Sequence, residues 1–228
     1  MPKKTIDPVN QELIELESRI GLKKLGPMSN STWFSDPRRL TFTLARYKFV
    51  SKMLVGKSRV GEIGCGDGFA SRIVRQSVGS LLVSDVDPYF IEAFRRSQIL
   101  GDPFEIEAVI HDILESPLPG PSFDAIYSLD VLEHIPAALE AGFLRNIVAS
   151  LNQTGVAIIG MPSLESQTYA SPDSAEGHVN CKSGSALAST LEEFFHNVFI
   201  FSMNDEVVHT GFAPMAHYLL AVCCFKKR

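Results

Sequence analysis

From Arg59 onward, short apolar runs ending in a glycine or an acid alternate with longer amphipathic stretches, and few folds accept that pattern. Residues 60–63 read as a strand ending at Gly64, and 81–84 as a strand ending at Asp85. Residues 104–110 lead into His111-Asp112, and 123–128 reach Leu129 and Asp130. Helices are expected between them at 68–78 and 89–100. A stronger one is expected at 136–151, where Leu139, Phe143, Ile147 and Val148 form one stripe. A fifth strand at 155–160, a helix at 186–195, a sixth strand at 197–203 and a seventh at 216–225 complete the series. Strands alternating with helices predict a doubly wound α/β fold with a seven-stranded, mostly parallel sheet. The last two strands have no helix between them, so the final one should run antiparallel through the loop 204–214.

Ahead of this region, residues 7–20 predict an amphipathic helix carrying Val9, Leu13, Leu16 and Ile20. Gly21 and Gly26-Pro27 break it, and a polar stretch 29–32 leads to Trp33 and Phe34. Asp36-Pro37 has the form of a helix start, with the next helix running to about Leu54. The expected division is a helical extension or lid over 1–55 and a single domain over 56–228, which suits a length of 228 residues. The net charge of −5 argues against nucleic acid as the main partner, because gripping phosphates needs a basic surface. The cluster Arg38, Arg39, Arg46, Lys48, Lys52 and Lys57 reads as a solvated helix face. Cys65, Cys181, Cys223 and Cys224 have no C-x-x-C spacing, as expected of a reducing compartment. The start, Met1 to Pro8, lacks the apolar core of a signal peptide, and residues 219–225 are too short to span a membrane, so the expected address is the cytoplasm.

In open α/β sheets, ligands sit beyond the carboxyl ends of the strands. The first such loop is Glu62-Ile63-Gly64-Cys65-Gly66-Asp67-Gly68, where glycines permit sharp turns and close approach to a ligand. A dinucleotide site is the competing reading, since Asp85 also stands where a ribose-binding acid belongs. Against it, Phe69 occupies the third glycine position of a G-x-G-x-x-G pattern, and Glu62 would repel a pyrophosphate. A carboxylate is welcome instead near the ammonium and sulfonium of S-adenosylmethionine.

Residues 60–135 resemble the class I S-adenosylmethionine-dependent methyltransferases, in the branch whose fourth strand runs into V-L-E-H-I. The motifs are V-G-E-I-G-C-G-D-G at 60–68, S-D-V-D-P at 84–88, H-D-I at 111–113 and S-F-D-A-I-Y-S-L-D-V-L-E-H-I at 122–135. The resemblance implies a Rossmann-like sheet and a donor held by Glu62, Gly64, Cys65, Gly66, Gly68, Asp85, Val86, Asp112, Ile113, Leu129 and Asp130. In that scheme the glycines wrap the methionyl part, and Glu62 orients the loop or reaches the amino group. Asp85 takes the ribose hydroxyls, Asp112 the adenine amine, Ile113 packs on the ring, and Leu129 and Asp130 line the methionine end. The plainer alternatives are that Asp85 caps the next helix and that Asp112 only makes a turn.

Methyl transfer to a hydroxyl needs help removing the proton. His134 could serve as base, or could merely tie the loop to the next helix. Asp130-x-x-Glu133-His134 resembles the E-x-x-E-H pattern of ubiquinone-pathway and small-RNA O-methyltransferases, in which acids and imidazole bind a divalent cation. Asp130, Glu133 and His134 are a metal set by that resemblance, to which His178 could add a further imidazole, weighed against a hydrogen-bonded helix start. Residues 161–185 are long for a connection and rich in polar side chains, which fits an acceptor-recognising cover. His209, in the polar loop 204–214, is a further candidate base, and Trp33-Phe34 either closes over the cofactor or staples the second helix. The expected function is O-methylation of a small-molecule acceptor: a sugar, lipid precursor or quinone-like metabolite. The alternatives are an RNA or protein methyltransferase and an inactive donor-binding partner subunit. Oligomeric state is open.

Overall fold

The computed structural model describes residues 4–99 and 102–227. Met1 to Lys3 of the signal-peptide reading and the last residue of the helix expected at 89–100 fall outside them.

The chain begins with a 3-10 turn, Pro8–Asn10, leading into α1 (Gln11–Ile20), followed by α2 (Pro27–Ser35) and α3 (Arg38–Met53). The α/β part runs β1 (Arg59–Ile63), α4 (Ser71–Arg75), β2 (Ser80–Asp85), α5 (Pro88–Ser97), β3 (Glu107–Ile110) and β4 (Phe123–Leu129). It continues with α6 (Ala137–Ser150), β5 (Leu151–Pro162), α7 (Pro172–Gly177), α8 (Gly184–Glu192), β6 (Phe195–Asn204), β7 (Val207–His209) and β8 (Tyr218–Lys226). One sheet has the order β3-β2-β1-β4-β5-β8-β6-β7. Strands β1 to β5 pair in parallel, while β8 inserts antiparallel between β5 and β6.

The expected doubly wound sheet is present, but with eight strands rather than seven. The extra strand is β7, a short hairpin return on β6 inside the expected loop 204–214. Residues 104–106 do not join β3: the Phe104 N–H is turned onto the Asp102 carboxylate, and the ring lies under the Arg72 guanidinium. The break at Gly26-Pro27 is itself a helix start, because Pro27 stands at the first turn of α2, where its missing N–H costs nothing.

Side chains alternate across the sheet. On β2, Leu81 and Val83 join the core beneath α3, α4 and α5, while Leu82 joins the one beneath α6 and α8. Phe143, Leu144 and Ile147 of α6 are fully buried in that second core, each contributing about 1.5–3 kcal/mol. Helix α1 buries no residue, and its apolar positions Leu13, Leu16 and Ile20 are exposed. No helix among the described residues is long and apolar enough to cross a membrane.

Candidate active site

A cleft of roughly 640 Å³ opens beyond the carboxyl ends of β1, β2 and β4, with α2 and α3 on its far side. The loop after β1 forms its floor. Gly64 and Gly66 have φ of 73° and 53°, where L side chains are strained. A Cβ at Gly64 would overlap Val131, and one at Gly66 would crowd Met28 of α2. Gly64 and Cys65 donate their N–H groups to Ser84 O at 2.8 and 3.0 Å. Cys65 lines the cleft, with burial pushing its thiol pKa far up. Gly68 also has a positive φ, of 62°, but it faces α5, where a Cβ would overlap Phe94, and it does not line the cleft.

Asp85 closes β2 and lines the cleft together with Val86. Its two carboxylate oxygens accept from the N–H groups of Gly66 (2.8 Å) and Asp87 (2.9 Å). Capping of α5 falls to Asp87, which accepts from the Tyr89 N–H at 2.8 Å. Asp112 both turns the chain, accepting from the Leu114 N–H at 2.8 Å, and lines the cleft beside the buried Ile113. The plainer turn role therefore coexists with a cleft-facing one.

Glu62 does not reach the cleft. Its buried carboxylate accepts from the Tyr47 hydroxyl at 2.7 Å and the Tyr127 hydroxyl at 2.5 Å, tying α3 to β4 behind the glycine loop. Burial raises its pKa, and the tyrosine hydrogen bonds oppose that rise. Helix α2 is pinned over the loop by Asp67, which accepts from both the N–H (2.7 Å) and the hydroxyl (3.1 Å) of Ser29. Met28, Ser29 and Thr32 of α2 line the cleft, whereas Trp33 and Phe34 are exposed and do not.

Asp130, at the end of β4, has φ 57° and is gripped by Arg46 of α3, whose Nη1 lies 2.9 and 2.7 Å from its two oxygens. The Arg46 guanidinium stacks 3.8 Å above the Tyr218 ring, and its buried Nε has no partner. The basic cluster of α3 is thus not uniformly a solvated face. At residues 39, 43 and 46, α3 turns Arg39, Thr43 and Arg46 into the cleft. That helical spacing was the available signal for a functional Arg46.

One turn after Asp130, Glu133 is fully buried, and neither of its carboxylate oxygens has a hydrogen-bond partner. Burial, reinforced by the Asp130 charge, pushes its pKa up to about 9. The cover expected at 161–185 begins at 163, because β5 runs on to Pro162, and it is fastened here by backbone: the N–H groups of Val179 and Asn180 donate to Glu133 O at 2.8 and 3.0 Å. Lys182 pairs with Glu140 at 2.9 Å. This brings His178 to His134, with ring centroids 5.1 Å apart. His134 Nδ1 lies 2.9 Å from Gly177 O, and His178 Nδ1 lies 2.8 Å from Gln167 Oε1. With Nδ1–H donating in each, both Nε2 atoms keep a lone pair. A carboxylate oxygen of Glu133 and one ring nitrogen of each histidine lie within 4.8 Å of one another.

One expected metal ligand, Asp130, and one candidate base, His209, fall outside this group. Asp130 is committed to Arg46 through both oxygens, so among the described residues the metal-capable set is Glu133, His134 and His178. His209 sits on β7 with both ring nitrogens engaged, Nε2 with Asn204 Oδ1 at 3.0 Å and Nδ1 accepting from the Gly211 N–H at 2.9 Å. It does not line the cleft.

Residues 61–159 match a family model described as a methyltransferase domain. No curated protein matches significantly. Among solved structures, the chain is similar to the N-methyltransferase NodS from Bradyrhizobium japonicum WM9 in complex with S-adenosyl-L-homocysteine. That match has 18% identity, covers 85% of this chain and 90% of the other, and has a TM-score of 0.60. It is also similar to a TehB-like SAM-dependent methyltransferase from Corynebacterium glutamicum (18% identity, 97% and 100% covered, TM-score 0.62). The methyltransferase domain of bacterial CtHen1-C aligns at 14% identity over 82% and 100% of the two chains, with a TM-score of 0.67. Residues 61–159 thus carry a methyltransferase domain, and the chain has the fold of S-adenosylmethionine-dependent methyltransferases.

Proposed function

We propose that this enzyme methylates a hydroxyl oxygen of a small-molecule acceptor bound between the donor and the group Glu133, His134 and His178. The observation that carries this reading is the buried Glu133 carboxyl, which has no partner for either oxygen and stands beside the His134 and His178 imidazoles. Leaving a buried carboxyl unsatisfied costs stability, so a fold that keeps one has a use for it. An acceptor enclosed beneath α2 and the cover 163–185, in a chain of net charge −5, fits a small molecule better than a nucleic acid.

The cleft fits the donor on three counts. Its volume lies within the range of cofactor pockets. Asp85 retains lone pairs for two ribose hydroxyls, and Asp112 can accept from the adenine amine. The Arg46–Asp130 pair complements an amino-acid zwitterion, with the Arg46 guanidinium for a carboxylate and Asp130 for an ammonium. When bound, S-adenosylmethionine supplies an electrophilic methyl carbon on a cationic sulfur. The chain's own residues then align the acceptor, exclude water and take the hydroxyl proton, a role worth typically 10²–10⁴-fold. Glu133, His134 and His178 suit a divalent cation such as Mn²⁺ or Zn²⁺, which would lower the acceptor hydroxyl's pKa.

His134→Ala and His178→Ala are each expected to cut turnover on a panel of hydroxylated metabolites by about 100-fold or more while sparing S-adenosylhomocysteine affinity in calorimetry. Wild-type turnover in both variants would end the proposal. Activity lost in chelator and restored by Mn²⁺ would assign the cation form. Insensitivity to chelator, together with the histidine losses, would assign direct proton transfer.

A further inference from the structure

The glycine loop has a second cavity behind it. This one, of roughly 340 Å³, lies between α4, α5 and the segment before β3, and is walled by Leu44, Phe69, Ile73, Phe94, Phe104 and Ile106. Its mouth carries two cations. Lys23 reaches across to Ser97, donating to the backbone O at 2.5 Å and the hydroxyl at 3.1 Å, and Arg72 stacks over Phe104. One acid, Asp102, also lines the mouth and is engaged by Arg72. Asp67 does not line this cavity, being turned to Ser29 and the Phe69 N–H, although its charge also reaches Lys23. We propose that this cavity is an effector site for a small amphiphile with an apolar body and one carboxylate, whose binding alters donor affinity through the glycine loop.

The ligand class follows from shape and charge. Six apolar walls call for a hydrocarbon or aryl body. Among the lining side chains two cations face one acid, and with Arg72 paired to Asp102, Lys23 is the cation left to meet an anionic head. The two cations feel each other: Lys23 is held below its ordinary pKa by burial and then by the charge of Arg72. The coupling follows from shared parts. Phe69 lines both cavities. Phe94 forms a wall here and packs where Gly68 has no side chain. A body pressed against these two rings bears directly on the loop whose N–H at Gly66 bonds Asp85.

The test uses the whole protein saturated with S-adenosylhomocysteine, so that the first cleft is blocked, and 8-anilinonaphthalene-1-sulfonate as a fluorescent apolar anion. Octanoate should displace the probe, and octylammonium should do so at least about tenfold more weakly. Lys23→Glu should weaken probe binding about tenfold, and Ile73→Trp should abolish it by filling the cavity. Octanoate should also shift S-adenosylhomocysteine affinity, read by calorimetry, by about threefold or more. Equal competition by octylammonium, or unchanged probe binding in both variants, overturns the site. An unmoved donor affinity overturns its effector role. A protein that binds no S-adenosylhomocysteine would overturn the donor assignment instead, while the probe arms, run without it, would still report on this cavity.

Discussion

Asp85→Ala is expected to weaken S-adenosylhomocysteine binding by about 100-fold or more, because it removes two charge-assisted hydrogen bonds worth roughly 1.5–3 kcal/mol each. The carboxylate also holds the N–H groups of Gly66 and Asp87, so its loss loosens the glycine loop and adds to the ribose term. Asp85→Asn separates the two contributions, since the amide can hold one N–H but supplies neither the charge nor the second acceptor. Calorimetry on both variants reads the effect, and unchanged affinity in the alanine variant would place the ribose elsewhere. Arg46→Met tests the other end of the donor. It should weaken S-adenosylhomocysteine about tenfold or more but leave 5′-methylthioadenosine, which lacks the amino acid, nearly unaffected. Equal losses for the two ligands would show that Arg46 acts only by shaping Asp130.

The parts of this molecule that could be read from sequence are those where chemistry is local. Each parallel strand is a short apolar run that must end where its backbone leaves the sheet, so Gly64, Asp85, Asp112 and Asp130 mark their own positions. The glycines of the first loop were visible for the same reason, since a positive φ shows in sequence as Gly. What a glycine is avoiding was not visible. Gly68 resembles its two neighbours in the motif, yet it makes room for Phe94 of α5 and does not line the first cleft.

Long-range pairings were the hidden part. Nothing near Glu62 announces that its carboxylate meets Tyr47 and Tyr127, 15 and 65 residues away. Arg46 looked like one of six solvated cations, and only the fold brings it to Asp130, 84 residues on. His209 failed as a base candidate for a related reason: a polar loop between two strands became a short strand, β7, and the imidazole was spent on closing that hairpin. The juxtaposition of His134 and His178 is suggested in the sequence only by the polar character of the cover. It is realised because two N–H groups of the cover reach the backbone carbonyl of Glu133, an interaction independent of side-chain identity.

Glu133 itself yields a prediction in which activity and stability move in opposite directions. Glu133→Met keeps the side-chain length, removes two unpartnered buried oxygens and leaves a flexible apolar group that can fill the same space. Relief of that unsatisfied carboxyl is worth about 1–3 kcal/mol, so the melting temperature should rise by several degrees, at roughly 2–4 °C per kcal/mol for a chain of this size. Turnover should fall by about 100-fold or more, and S-adenosylhomocysteine affinity should stay near wild type, because Glu133 serves the acceptor side. Differential scanning calorimetry, a methylation assay and donor titration read the three quantities separately. A lower melting temperature would mean that Glu133 is hydrogen-bonded in solution and holds the cover in place, while undiminished turnover would remove it from the acceptor machinery. A carboxyl that makes the fold less stable and the reaction possible is the pattern expected when a buried acid is retained for chemistry.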